Sequence, residues 1–262
     1  SYSDSVINFE NLFSNTFYKI KARQLATSSN KDKIYLASRF YYFGYDDIDR
    51  NNLSNFIKND EGMLISINAA KAIIKYSDEA LINTMITVFS KGRRIQQSIY
   101  SEIIETHNDN VCDIIKNRIF IESDIYVKLF CYKLLSRMKS DKQIIKSAYI
   151  DFKNSYIDLK IAVLFYIDHS DDPQKNKLIY SASYDEHWEI RAITAKLLGN
   201  ILDNLSLKYL EKLLCDKEWW VRINSAISLK SKGTNGLNIL EQQSPEKDKY
   251  AYDAAQKILL NN

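Results

Sequence analysis

The sequence repeats itself with a period of about 31 residues. The Asp, Trp and Arg of "DEHWEIRAITAKLLG" (185–199) each recur 31 residues later in "DKEWWVRINSAISLK" (216–230). A period of this length is typical of proteins built by stacking one small supersecondary unit on the next. Extending the Arg column upstream gives six anchor positions: Ser66, Gln96, Lys128, Lys160, Arg191 and Arg222.

Three columns around the anchors contain only apolar residues or Tyr. Offsets of −1, +4 and +7 lie on one face of an α-helix, so each anchor segment is predicted to be an amphipathic helix. Shorter amphipathic segments at 78–89, 110–117, 142–150, 174–182 and 206–214 separate these helices. The unit is therefore helix A, a tight turn and helix B. The columns are Ile65, Ile95, Val127, Leu159, Ile190 and Val221; Ala70, Tyr100, Tyr132, Leu164, Ala195 and Ala226; and Ile73, Ile103, Leu135, Ile167, Leu198 and Leu229.

Proline and glycine are scarce, as expected for helices joined by short polar links. The chain of 262 residues contains two prolines and six glycines, whereas average usage would give about thirteen and about eighteen. The repeats are clearest over 46–233. We predict a single solenoid over 1–262, with an N-terminal cap region at 1–45 and a C-terminal cap repeat at 234–262, because end repeats must expose one outer face to water.

The repeat resembles the short bacterial type of HEAT repeat. The resemblance rests on an Asp followed six residues later by an Arg, with an apolar residue before the Arg and Ala or Leu after it, and is most specific over 120–235. It implies an all-α, right-handed α-solenoid of about eight antiparallel helix pairs. HEAT-like proteins usually serve as scaffolds or adaptors, so we expect a non-catalytic scaffold that binds a protein partner through the concave surface of its B helices.

The charged columns allow two interpretations. An acid in the A–B turn can cap helix B or pair with the basic anchor of its own or the next repeat, giving a structural ladder. Alternatively, Lys128, Lys160, Arg191 and Arg222 form a basic stripe on the concave face, available to phosphate or to acidic peptides. We favour the ladder and keep the four basic residues as candidate partner contacts. The column six places before the anchors is Asp60, Ser90, Glu122, Asn154, Asp185 and Asp216.

The tryptophans fall in two different columns. The column three before the anchor is mainly apolar (Met63, Arg93, Ile125, Ile157, Trp188, Trp219), so Trp188 and Trp219 are predicted to pack in the core. The column two before the anchor mixes polar and apolar residues (Leu64, Arg94, Tyr126, Asp158, Glu189, Trp220), as an exposed position would. Trp220 and Tyr126 are therefore the aromatic candidates for partner contact, since Trp and Tyr are enriched at binding hot spots.

No motif points to catalysis, a cofactor, a metal or a small-molecule substrate. His107, His169 and His187 fall in different repeats without the spacing of metal ligands. Phosphate-binding loops and nucleophile elbows are missing from the sequence. Three widely spaced cysteines (Cys112, Cys131, Cys215) lie among apolar residues. We read them as small buried hydrophobes in a reducing compartment, and expect a cytoplasmic protein.

Two alternatives to a protein-binding scaffold remain open. One branch of HEAT-like proteins consists of alkylpurine DNA glycosylases, so the chain could bind DNA, although its net charge of +3 gives DNA little attraction. The other alternative is the cytosolic regulatory part of a membrane-anchored complex, with residues 15–23 near the bilayer. The chain begins with Ser1 and has no apolar run of membrane-spanning length, so any anchor is expected upstream.

Overall fold

The fold is all-α, as predicted. The computed structural model describes residues 15–58, 62–105, 109–138, 142–154 and 156–260, and all the regular structure in these ranges is helical. The chain divides into two compact units, residues 1–138 and 139–262. Eight α-helices lie in the described part of each unit.

The described part of the first unit contains four helix pairs, in which each odd-numbered helix is an A helix and each even-numbered helix a B helix. Neighbouring A and B helices pack against each other, and B helices pack on the B helices of the next pair. Two short 3-10 turns, Tyr41–Phe43 and Asp47–Asp49, link the first two pairs. The helices are α1 (Asn15–Ala26), α2 (Lys31–Phe40), α3 (Arg50–Lys58), α4 (Met63–Lys75), α5 (Glu79–Ser90), α6 (Arg94–Glu105), α7 (Asp109–Ile121) and α8 (Ile125–Leu135).

The residues described in the second unit repeat this arrangement with four more pairs. The described residues therefore contain eight pairs in total, in agreement with the predicted number. A single solenoid running through both units, and its handedness, stay predictions. The helices are α9 (Lys142–Asp151), α10 (Ile157–Asp168), α11 (Lys175–Ala182), α12 (Trp188–Asn200), α13 (Asn204–Leu214), α14 (Trp219–Ser231), α15 (Thr234–Glu241) and α16 (Lys249–Leu260).

The three apolar columns form the core of both units, with one exception. Every member of these columns is buried except Ile95, which is 74% exposed. In this repeat Gln97, like the anchors of the other repeats, stands three residues after the first residue of its B helix. Its amide donates to the carbonyl oxygens of Ser90 at 2.9 Å and Gly92 at 3.2 Å. The anchor therefore lies one residue later than predicted, which turns Ile95 towards water.

The cysteines only partly match the expectation of buried thiols. Cys131 is buried, Cys112 is intermediate and Cys215 is exposed. The prediction is wrong for Cys215 because this residue follows the last residue of α13, where the chain leaves the packed face. Burial raises the pKa of the Cys131 thiol to about 12, so this side chain is an inert hydrophobe. Within the described ranges, no helix is long and apolar enough to cross a membrane.

Candidate functional site

Arg191 joins its own A–B turn to the turn of the next repeat. Its Nη1 donates to the carbonyl oxygens of Asp185 at 2.8 Å and Glu186 at 3.0 Å, both in the turn before α12. The opposite edge donates to the carboxylate of Asp216, from Nε at 2.6 Å and from Nη2 at 2.9 Å. A planar guanidinium can make both sets of bonds at once because its donors lie along separate edges.

Lys160 makes the corresponding contact one repeat earlier. Its Nζ lies 2.8 Å from Oδ2 of Asp185, and both side chains are about nine-tenths buried. In the residues of the second unit that the structure describes, the pairs Lys160–Asp185 and Arg191–Asp216 therefore form two steps of a ladder between successive repeats. This confirms the ladder interpretation for these two anchors.

The ladder carboxylates also order the turns in which they lie. Asp185 accepts from the N–H of His187 at 3.0 Å, and Asp216 accepts from the N–H of Glu218 at 2.9 Å. In both cases the acid bonds to the N–H two residues on, which is the residue just before the helix. The acids thus stabilise Asx turns, and they do not directly cap helix B as the sequence suggested.

Both ladder carboxyl groups have a pKa below the ordinary value for Asp. Burial by itself raises the pKa of Asp216, but the hydrogen bonds from Arg191 and from the Glu218 N–H outweigh burial and lower it. The same balance holds for the pKa of Asp185, where Lys160 and the His187 N–H are the donors. The two acids are therefore ionised at neutral pH, as ion pairs require.

The exposed basic stripe is not what the structure contains. Lys160 and Arg191 are each 8% exposed, and their charges face ladder carboxylates. Lys128 lies in the first unit and is half-buried. The alternative of an exposed basic stripe is thus wrong for Lys160 and Arg191, whose side chains are buried against the ladder carboxylates. A role of these three residues in partner binding stays untested.

Arg222 is the last anchor and lacks the carboxylate that Arg191 has. Its Nη1 donates to the carbonyl oxygens of Asp216 at 2.8 Å and Lys217 at 2.9 Å, which repeats the inner half of the Arg191 arrangement. Its Nε is buried, and no atom of the described residues accepts a hydrogen bond from it. The Arg222 side chain as a whole is only 8% exposed. The ladder therefore ends in a buried donor without an acceptor.

All three tryptophans of the chain lie on the surface at the starts of B helices. Trp188 is the first residue of α12, and Trp219 and Trp220 are the first two of α14. Trp220 is 57% exposed, as predicted, but Trp219 is 42% exposed, so the prediction of a core position is wrong for Trp219 and likewise for Trp188. The first turn of each B helix extends beyond the packed face, which begins one residue before the anchor.

Tyr250, the second residue of α16, adds a fourth exposed aromatic at the start of the next B helix. We call Trp188, Trp219, Trp220 and Tyr250 the aromatic row. Within it, the rings of Trp219 and Trp220 are in edge contact with their centroids 4.6 Å apart. Lys257 Nζ lies 4.9 Å from the Trp219 ring, and the Arg222 guanidinium lies 5.2 Å from the Tyr250 ring. The row is therefore bordered by cations.

Tyr126, the other predicted aromatic contact, is the second residue of α8 in the first unit. It is 52% exposed, in agreement with its predicted surface position. Its role in binding stays a prediction.

Two ladder-like pairs in the first unit escaped the sequence pattern. Arg23 contacts Asp49 through Nε and Nη2, both at 2.8 Å, and Arg50 Nε donates to Asp78 at 2.7 Å. Each pair joins side chains 26 to 28 residues apart. Both arginines lie in A helices, α1 and α3, whereas the anchors of the later repeats lie in B helices. The only signal in the sequence was the spacing of Arg and Asp by nearly one repeat.

The described residues contain no cluster of His, Cys, Asp and Glu that could hold a metal ion. His169 is exposed at the end of α10, and His187 precedes α12 with its Nδ1 3.0 Å from Asp185 Oδ1. His107 and Asp60, which the sequence also singled out, lie outside the described residues.

Comparison with known proteins reveals similarity only at the level of solved structures. Models of protein families do not match the chain, and neither do curated proteins. Similar structures include Escherichia coli YibA, 16% identical over 90% of this chain and 98% of that one, with a TM-score of 0.49. Human deoxyhypusine hydroxylase in complex with glycerol is 12% identical over 94% of this chain and 95% of that one, with a TM-score of 0.38. An engineered protein is 12% identical over 93% and 88%, with a TM-score of 0.38.

Proposed function

We propose that the protein is a non-catalytic HEAT-type scaffold whose second unit binds a protein partner through the aromatic row. The observation behind this proposal is the exposure of all three tryptophans of the chain, together with Tyr250, at the starts of successive B helices. Large aromatic side chains are costly to leave in water and are enriched at the energetic centres of protein interfaces.

The aromatic row has the surroundings of a protein–protein interface, because two of its rings are ordered on the surface of a helix that is otherwise well packed. Trp219 and Trp220 lie on the first turn of α14, whose remaining face is packed by α12, α13, α15 and α16. Their rings are ordered by mutual edge contact and by Lys257. Rigid aromatic side chains lose little conformational entropy when a partner covers them, so each ring can contribute strongly to affinity.

The nucleic-acid alternative has weaker support from the described residues. Salt-dependent binding to phosphates requires cations on the surface. Two basic anchors of the second unit, Lys160 and Arg191, are buried against carboxylates of the protein itself. A membrane-anchored regulator stays the other alternative, and the first unit's Tyr126 and Lys128 stay candidate contacts for any partner.

The proposal is tested by partner capture followed by reconstitution. The full chain is used as bait in a lysate of the source organism, captured proteins are identified by mass spectrometry, and each is purified and titrated calorimetrically. We expect Trp220→Ala to weaken binding at least tenfold, since hot-spot truncations have effects of this size. The double variant Trp219→Ala/Trp220→Ala should weaken it further.

Leu202→Ala is the matched control. Leu202 is 98% exposed in the link between α12 and α13 of the same unit, outside the aromatic row. It should leave the affinity unchanged. A partner that binds the wild type and both tryptophan variants with equal affinity contradicts the assignment of the aromatic row as the binding surface.

A further inference from the structure

The guanidinium of Arg222 has the orientation of a ladder arginine but an empty outer edge. The Nη1 atoms of Arg191 and Arg222 donate to carbonyl oxygens at equivalent places in successive turns, 185 and 186 for one and 216 and 217 for the other. This shared anchorage sets both guanidinium planes alike. The Nε–Nη2 edge that meets Asp216 in Arg191 therefore faces the last A–B turn in Arg222.

The two acids of the last turn are engaged elsewhere. The ladder acid lies three residues before the first residue of its B helix, and this position before α16 is Glu246. Glu246 is exposed, and its pKa is lowered by hydrogen bonds from its own backbone N–H and from Ser244. Asp248 accepts from the Ala251 N–H at 3.0 Å and also from the Cys215 thiol. Neither carboxylate forms an ion pair with Arg222 in the described structure.

We infer that the Nε–Nη2 edge of Arg222 is a docking point for a carboxylate of the protein partner, an Asp or Glu side chain beside an apolar residue that packs on Trp219 and Trp220. This inference rests on the proposed function and adds the chemistry that the partner must present. The pair Arg191–Asp216 is the model for this contact within the protein. There the Nε and Nη2 atoms of a ladder arginine donate two hydrogen bonds to one carboxylate.

A carboxylate is favoured here for two reasons. A buried N–H without an acceptor is unfavourable, and an incoming anion removes that penalty while gaining a charge-assisted bond. The apolar neighbour is required by position, because Trp219 lies three residues before Arg222 and therefore on the same face of α14.

The exposed side chain of Tyr250 packs against the Arg222 guanidinium. The Tyr250 ring lies 5.2 Å from the guanidinium, and Tyr250 is 67% exposed. No hydrogen bond from the described residues holds the Tyr250 hydroxyl, so the ring can change rotamer when a partner approaches Arg222. The cation of Lys257 beside Trp219 adds to the attraction for an acidic segment.

The test uses seven-residue peptides displayed on phage, selected against the full-length protein. We expect the enriched sequences to share an Asp or Glu at a fixed distance from an aromatic or aliphatic residue. One such peptide is synthesised with a fluorophore, as the acid and with that acid replaced by its amide (Asp→Asn or Glu→Gln). The affinities of both peptides are measured for the wild type, Arg222→Gln, Trp219→Ala/Trp220→Ala and Leu202→Ala.

The expected result is a coupling between one peptide residue and Arg222. Replacing the acid by its amide should weaken binding to the wild type at least tenfold, and binding to Arg222→Gln less than twofold. An equal loss in both proteins overturns the inference while leaving the proposed function intact, provided the Trp double variant binds poorly. Peptides that bind the Trp double variant as well as the wild type overturn the proposed function, and the inference with it.

Two further measurements complete the test. The first uses the wild-type protein, so that misfolding of a variant cannot explain the result, and the second asks whether Glu246 of the chain itself already binds Arg222. In the wild type, the Nε–H signal of Arg222, assigned with Arg222→Lys, should shift in ¹H–¹⁵N spectra on adding the acidic peptide but not the amide peptide. An unshifted signal overturns the inference. A stability cycle between Arg222→Gln and Glu246→Ala should show no coupling, whereas a clear coupling would place Glu246 on Arg222 and overturn it.

Discussion

Arg191 and Asp216 are 25 residues apart in the chain and are joined by two parallel hydrogen bonds of 2.6 and 2.9 Å between a guanidinium edge and a carboxylate. Both side chains are about nine-tenths buried. The same Asp216 orders the turn before α14, and the same Arg191 holds the turn before α12. One pair therefore connects two A–B turns, so that the geometry of one repeat depends on the next.

Asp216→Asn should destabilise the protein by about 3–5 kcal/mol, because removing one member of a buried pair leaves the Arg191 charge without compensation. The measurement is the free energy of unfolding in urea at pH 7. Glu186→Gln is the control, since this side chain is 83% exposed in the turn before α12. It should change the free energy by less than about 1 kcal/mol. Equal effects of the two variants would contradict the structural role of the ladder.

The contribution of Asp216 should disappear in acid. Because its pKa is lower in the folded protein than in the unfolded chain, folding releases protons near that pKa and stability is lost as the pH falls. The ladder contribution is complete above the unfolded pKa of about 4 and declines as the pH drops from there through the lower folded-state pKa. The stability difference between wild type and Asp216→Asn, followed by urea unfolding from pH 7 to pH 3, should narrow below about pH 4. A constant difference would show that ionisation of Asp216 is not involved.

The core of the fold was predictable from sequence because helical periodicity reports burial directly. The columns at −1, +4 and +7 identify buried residues such as Leu198 and Leu229 without any knowledge of neighbours. The one failure, Ile95, came from placing the anchor of this repeat at Gln96. The anchor is Gln97, which stands three residues after the first residue of α6, as the other anchors stand in their B helices. Ile95 is apolar and therefore matched the column at −1 in the predicted register, so periodicity alone did not reveal the shift.

The candidate site was predictable only in part, since it depends on which residues of each B helix are covered by neighbouring helices. The column of Trp188 and Trp219 is apolar, but its residues stand at helix starts that no neighbouring helix covers. Apolar character alone does not distinguish such a position from the core. For Lys160 and Arg191 the favoured ladder interpretation was confirmed, although charge by itself indicates the surface, because carboxylates from the next repeat accompany both side chains into the interior.

The exposed position of Trp219 can be tested against a buried residue of the same helix. Trp219→Ala should cost about 1–2 kcal/mol, as for a surface change that loses the contacts with Trp220 and Lys257. Leu229→Ala removes a fully buried side chain from the last turn of α14 and should cost about 2–5 kcal/mol through the cavity it leaves. Both are measured by urea unfolding. A loss for Trp219→Ala as large as that for Leu229→Ala would place the indole in the core.

Gly236 lies where α15 touches the backbone of α14, and we expect no larger residue to fit there. A Cβ added to Gly236 would lie 1.8 Å from the carbonyl oxygen of Leu229 and 2.7 Å from its carbonyl carbon. Backbone atoms cannot rotate away, so Gly236→Ala must push α15 off α14. Helix propensity alone would make this substitution favourable by about 1 kcal/mol.

The clash should outweigh the gain in propensity, so that Gly236→Ala lowers the free energy of unfolding by about 1–3 kcal/mol, the usual cost of overpacking. Asn235→Ala, at an exposed position of the same helix, should change it by less than about 0.5 kcal/mol. Urea unfolding of both variants gives the comparison. A Gly236→Ala protein at least as stable as the wild type would show that α15 does not pack directly on the Leu229 carbonyl.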